Sequence, residues 1–81
     1  MNQEKLLAKA RNNPADVRFS DACALAEAYA FRFIRQTGSH RQFGREGVPT
    51  LVNLQPEKNG KAKPYQVRQL VKLIDAYGDS V

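Results

Sequence analysis

A chain of 81 residues with 42% hydrophobic and 26% charged residues has the composition of one folded domain and is too apolar for a disordered tail. A domain this small buries only about 60% of the surface its unfolded chain exposes, so its core is thin and a partner chain would add to its stability. The formal net charge is +5, no run approaches the roughly 18 apolar residues that span a bilayer, and Met1-Asn2-Gln3-Glu4-Lys5 leads only to Leu6 and Leu7, without the apolar core of a signal peptide.

Residues 3 to 11 read as a short helix with Leu6, Leu7 and Ala10 on its apolar stripe. Asn12-Asn13-Pro14 ends it, because asparagines favour local side-chain bonds and proline disfavours helical geometry in the residue before it. Residues 1 to 15 are therefore expected to form an appendage, a docked helix or an arm, in front of a domain over residues 16 to 81.

Phe19-Ser20-Asp21 reads as a helix start with Ser20 as N-cap and Asp21 at the positive end of the dipole. Ala22, Leu25, Ala26 and Tyr29 follow at i, i+3, i+4 and i+7, so the helix runs to about Ala30 with Tyr29 in the core. Cys23, the single cysteine, has no partner for an internal disulfide and lies on this helix, where it reads as a small buried hydrophobe; a reducing compartment, the cytoplasm, is expected.

From Phe31 the composition turns to aromatic and β-branched residues mixed with long cations, the mark of a strand. Thr37-Gly38 supplies a turn, Ser39 to Arg45 a second strand, and Thr50 to Leu54, after Pro49, a third, giving a three-stranded antiparallel meander. Alternation puts His40, the single histidine, and Gln42 on the face opposite Phe43. Arg41 and Arg45 share the side of Phe43, so they are expected near a rim where their heads reach water.

A polar loop from Pro56 carries Lys58, Lys61 and Lys63 into a last helix. Pro64 suits its first position, Val67, Leu70, Val71, Ile74 and Tyr77 form its apolar face, and Gly78 suits its end. The whole order predicts an α+β fold, a two-layer α-β-β-β-α arrangement like the double-stranded-RNA-binding domain, with both helices on one face of the sheet and an extra N-terminal helix or arm.

Function has to come from the site, because such a fold hosts many activities. Lys5, Lys9, Arg11 and Arg18 balance Glu4, Asp16, Asp21 and Glu27, so residues 1 to 30 are neutral. The excess lies in two acid-free runs, one with Arg32, Arg35, Arg41 and Arg45 and the other with Lys58, Lys61, Lys63, Arg68 and Lys72. That clustering points to a polyphosphate partner such as RNA. Gly38 allows a positive φ or a close backbone approach beside His40, and Ser39 adds a hydroxyl within reach of a phosphate. One histidine, one cysteine and no close carboxylate pair near the motif make no metal constellation, so neither metal nor cofactor is expected.

Arg35-Gln36-Thr37-Gly38-Ser39-His40 followed by Phe43, the helix before them, and the terminal helix with Val67-Arg68-Gln69-Leu70 and Leu73-Ile74 resemble the HicA toxins, from about Arg18 to Gly78. The chain differs at Arg41, where many members carry a further histidine, and at Ala30, where a glycine commonly ends the helix. The resemblance implies an endoribonuclease that cleaves mRNA, uses the histidine of Gly38-Ser39-His40, and is silenced by a HicB-like antitoxin, through which any oligomer would form. On this reading His40 is the general acid or base, and Gly38, Ser39, Arg35, Arg41, Lys61 and Lys63 are the RNA-binding candidates. Water, Tyr65 or a lysine are the candidates for the second proton transfer. A nonenzymatic RNA-binding module of the same fold, or a degenerate toxin acting only through protein binding, are the rival readings.

Overall fold

A computed structural model of the chain describes residues 2–78; Met1 and residues 79–81, the ends of the two expected segments, lie outside the described residues. Helix α1 spans Gln3–Asn12, and Asn2 caps it by accepting from the Lys5 N–H at 2.9 Å. A 3₁₀ turn at Pro14–Asp16 leads to helix α2, Phe19–Ala28. Strands β1 (Arg32–Thr37), β2 (His40–Gly44) and β3 (Val52–Leu54) follow, and helix α3, Pro64–Tyr77, closes the fold. The sheet is antiparallel in the order β1-β2-β3, so the expected meander and the α+β class are both observed.

Both α2 and α3 lie on one face of the sheet. Between them Val17, Leu25, Phe31, Phe43, Val52, Leu54, Val67 and Leu70 are fully buried. Side chains of this kind stabilise the fold by about 1.5–3 kcal/mol each. Helix α1 packs across α2 and α3 through the buried Leu6 and Ala10, so the N-terminal segment is a docked helix. Arg11 ties it down with two bonds to the Asp75 carboxylate, at 2.5 and 2.8 Å. Among the described residues no helix is long and apolar enough to cross a membrane.

Three expectations are corrected. Ser20 is not the N-cap: α2 starts two residues earlier, Arg18 holds the cap position without a side-chain bond, and the Phe19 N–H donates to the Gly60 carbonyl at 3.0 Å. A carbonyl from a distant loop thus satisfies a donor that local capping would otherwise have to meet. Arg45 does not reach for water: it is only 8% exposed, its guanidinium lies over Phe31, and it donates to the Gly78 carbonyl at 2.8 Å. The carbonyl end of α3 is negatively polarised and replaces solvent there. The third strand is shorter than expected, because Thr50 and Leu51 lie before the paired segment.

Helix α2 ends in a Schellman turn. The Phe31 N–H reaches the Ala26 carbonyl at 3.0 Å and the Ala30 N–H reaches the Glu27 carbonyl at 3.1 Å, with Ala30 at φ +69°. That left-handed conformation crowds a Cβ and costs about 1–2 kcal/mol for a non-glycine residue. Ala30→Gly is therefore expected to stabilise the protein by about 1 kcal/mol, raising the midpoint of a thermal melt by roughly 4–8 °C. The hydrogen bonds and charge of Arg11 hold the Asp75 carboxyl below its ordinary value of 3.8. A depressed carboxylate contributes stability above its unfolded pKa and loses it as pH falls through the folded pKa. In an acid titration followed by circular dichroism, Asp75→Asn is expected to be slightly less stable than the parent at neutral pH and equal to it once the carboxyl is protonated.

Candidate active site on the open face of the sheet

The β1–β2 hairpin turns through Gly38 and Ser39, between the paired Thr37 and His40. Gly38 has φ +60°, whereas Ser39 is not in the left-handed region. This is the pattern of a two-residue loop that needs glycine at its first central position. A Cβ on Gly38 would meet none of the chain's own atoms within 4 Å, so within the fold the glycine serves the backbone angle. The Gln36 amide donates to the Gly38 carbonyl at 2.9 Å and staples the turn to β1.

Strand β2 pairs with β3 without a break, Arg41 to Leu54, Gln42 to Asn53 and Phe43 to Val52, so alternation holds along it. Phe43 points into the core, and His40 is exposed on the opposite, helix-free face. There Arg35, Thr37, His40, Gln42 and Asn53 line a shallow depression of about 200 Å³.

Arg35 and Thr37 reach that face because β1 is irregular. Phe33 pairs with Phe43 on the helix side, their rings 5.9 Å apart edge to face, yet the next paired residue is Arg35, opposite Gln42. One extra residue, Ile34, fits between them. A bulge of this kind reverses the facing of every residue beyond it. Without it, Arg35 and Thr37 would share the side of Phe33.

A polar chain crosses all three strands beside His40. Arg35 Nε donates to Gln42 Oε1 at 2.8 Å, and Gln42 Nε2 donates to Asn53 Oδ1 at 3.0 Å.

The other expected site residues are distributed differently. Arg41 lies on the helix side: its guanidinium sits 5.1 Å over the Phe19 ring, Nε donates to Gln36 Oε1 at 3.2 Å, and Nη1 lies 3.9 Å from Cys23 Sγ. It braces the hairpin against α2 and does not join His40. Cys23 is buried as expected; burial pushes its thiol pKa up, and Arg41 acts against that shift. Lys61 Nζ is 2.5 Å from Asp16 Oδ1, which holds the Asp16 carboxyl below the usual range, through the hydrogen bond first and charge second. Lys63 occupies the N-cap position of α3 and, with Gln55, Pro56, Glu57, Lys58 and Asn59, lines a wide hollow of about 540 Å³. Tyr65 is 61% exposed at the start of α3 and does not line the His40 depression.

The lysines are brought together by the chain that follows β3. Leu54 pairs with Arg41, and the lysine loop begins at Gln55, the residue after β3. That loop meets the start of α2 through the Gly60 carbonyl and leads into α3, so two positive helix ends lie beside Lys58, Lys61 and Lys63. Among the described residues, no group of three or more His, Cys, Asp or Glu side chains comes together as metal ligands would. Asn53 is the site residue that strand parity could not supply, since its place depends on the β2–β3 register.

A family model described as "HicA toxin of bacterial toxin-antitoxin" matches residues 19–76, from the start of α2 to the last turn of α3. No curated protein and no solved structure matches the chain.

The two arginines are expected to separate in denaturant unfolding. Arg41→Ala loses its stacking on Phe19 and its bond to Gln36, a cost of about 1–2 kcal/mol. Arg35→Ala, on an exposed strand, is expected to shift stability by no more than about 0.5 kcal/mol.

Proposed function

The chain belongs to the HicA toxin family of bacterial toxin–antitoxin systems, and from that premise we propose that it is a metal-independent endoribonuclease that cleaves mRNA with His40 as general acid or base. As a toxin of such a pair it has an antitoxin as its partner. The observation that carries the reading is the exposed His40 in one depression with Arg35 on the open face of the sheet.

RNA brings its own nucleophile. His40 removes the proton of a ribose 2′-hydroxyl, the 2′-oxygen bonds to the adjacent phosphorus, and the bond from phosphorus to the 5′-oxygen breaks. A 2′,3′-cyclic phosphate and a 5′-hydroxyl result, the leaving oxygen taking its proton from water or from a second group. Imidazole suits this transfer because it changes charge near neutral pH. Arg35 commits its Nε–H to Gln42, which orients the guanidinium, and its terminal nitrogens are then the donors for the charged phosphorane. Gly38 and Ser39 bring the turn backbone and a hydroxyl to the same phosphate. Lys58 and Lys63 hold the flanking strand, and Lys61, tethered to Asp16, adds to the local potential. Arg41 contributes by bracing the hairpin.

His40→Ala is expected to lower cleavage of a single-stranded RNA by at least about 10²-fold with RNA binding retained, and to relieve the growth arrest caused by expressing the parent. EDTA is expected to leave the parent's cleavage unchanged; loss in EDTA with recovery on adding a divalent ion would sink the metal-independent mechanism. A parent that binds RNA but never cuts it would establish the rival reading of a binding module. The antitoxin is expected to meet the cationic end with carboxylates, so the dissociation constant of the complex should rise with salt. A salt-independent constant would count against that surface.

A further inference from the structure

The polar chain across the open face has a direction, and the direction gives Asn53 a chemical identity. Arginine carries N–H donors only, so the atom of Gln42 facing Arg35 Nε at 2.8 Å is its amide oxygen. The nitrogen of the Gln42 amide therefore faces Asn53, and the Asn53 atom that accepts it at 3.0 Å is the oxygen. One arginine thus orients two amides in succession, and the end of the chain is the Asn53 NH₂, a pure donor. Without Arg35 both amides could turn over and present either group.

We propose that Asn53 is a base-reading residue for single-stranded RNA, selecting bases with a keto oxygen at purine C6 or pyrimidine C4, guanine or uracil, over those with an amino group at that position, adenine or cytosine, at or next to the cut linkage. This rests on the open face being the RNA-cleaving surface. Guanine O6 and uracil O4 accept hydrogen bonds, whereas adenine N6 and cytosine N4 donate them, so a fixed donor discriminates between the two sets. Single strands are the RNA form whose base edges are free for such reading.

The distances suit the role. His40 and Gln42 are two residues apart on one face, about 7 Å by strand rise, and Asn53 is directly across from Gln42, so Asn53 lies roughly 8–9 Å from His40. A nucleotide whose phosphate meets His40 and Arg35 can reach that far with its base. An apolar shelf stands beside Asn53 to take the base's flat face: Ile34 and Leu51 are 51% and 42% exposed. They meet over Gly44, where an added Cβ would lie 2.7 Å from Ile34 Cδ1 and 3.2 Å from Leu51 Cδ2. Glycine at position 44 lets the two side chains close into one surface, and apolar contact of this kind can hold a base while its edge is read.

The test measures binding and cleavage separately. Binding is followed by fluorescence anisotropy on 2′-O-methyl oligonucleotides, which lack the nucleophile, identical except for one base in a constant single strand. The parent is expected to bind the guanine and uracil versions roughly three- to tenfold more tightly than the adenine and cytosine versions, the range of one hydrogen bond. Asn53→Asp keeps the acceptor for Gln42 but replaces the outward donor with an acceptor, so the ratio is expected to invert. A general loss from the added negative charge would lower all four affinities together and leave the ratio alone. Gln42→Glu replaces the donor to Asn53 with a carboxylate acceptor, so the Asn53 amide is expected to turn its NH₂ inward and present its oxygen, and the ratio is again expected to invert. Cut sites mapped on a mixed-sequence RNA should shift in the same sense. An unchanged ratio and unchanged cut sites in both variants would overturn the assignment of Asn53 even if the parent cleaves well. A parent that never cleaves but shows the ratio and its inversion would overturn the catalytic reading of His40 and leave base reading intact.

Discussion

The single extra residue in β1 is the constraint on which the rest of the site depends. Two anchors fix the hairpin: Phe33 stacks on Phe43 at one end, and the Gly38 turn pairs Thr37 with His40 at the other. Between them β1 contains one residue more than β2 can match. The strand accommodates it at Ile34, and every later residue of β1 changes sides. Arg35 thereby joins His40 and Gln36 joins Arg41, which puts the two arginines on opposite faces of the hairpin. Both anchors are strong for local reasons, an aromatic pair against a buried ring and a backbone angle that favours glycine.

The same division runs through the remaining charges. Arg11, Arg41, Arg45 and Lys61 are engaged by Asp75, Phe19, the Gly78 carbonyl and Asp16, respectively. These engagements attach α1, brace the hairpin, cover the carbonyl end of α3 and hold the lysine loop near the start of α2. Arg35 lines the His40 depression, whereas Lys58 and Lys63 line the separate hollow before α3, whose N-terminus adds positive potential there. Net charge alone describes neither group.

Much of this was legible in the chain. Helical periodicity located α2 and α3 with their buried faces, Pro64 and Gly78 marked the bounds of α3, and Thr37-Gly38 marked the turn. Parity along β2 was reliable because that strand is central and unbroken, which is why His40 and Gln42 lie opposite Phe43 as expected. Where the reading missed, a distant backbone group had replaced a local one. The Gly60 carbonyl serves the start of α2 that Ser20 was expected to cap, and the Gly78 carbonyl takes the guanidinium that Arg45 was expected to offer to water. Ala30 shows the converse: tertiary packing holds a left-handed helix end that the residue itself disfavours.

The sequence by itself determined the element order, the two-layer α+β class, the glycine turn that carries the histidine and the concentration of positive charge after residue 30. Each of these follows from periods, caps and turn angles that act within a few residues. Only the tertiary structure decided which cations stand beside His40, that Gln42 and Asn53 form an oriented chain with Arg35, and that Arg41 belongs to the framework. The physical reason is that facing in a sheet is a parity, and one unpaired residue reverses it. No local propensity encodes where that residue sits; the packing of Phe33 on Phe43 and the register set from the Gly38 turn decide it together.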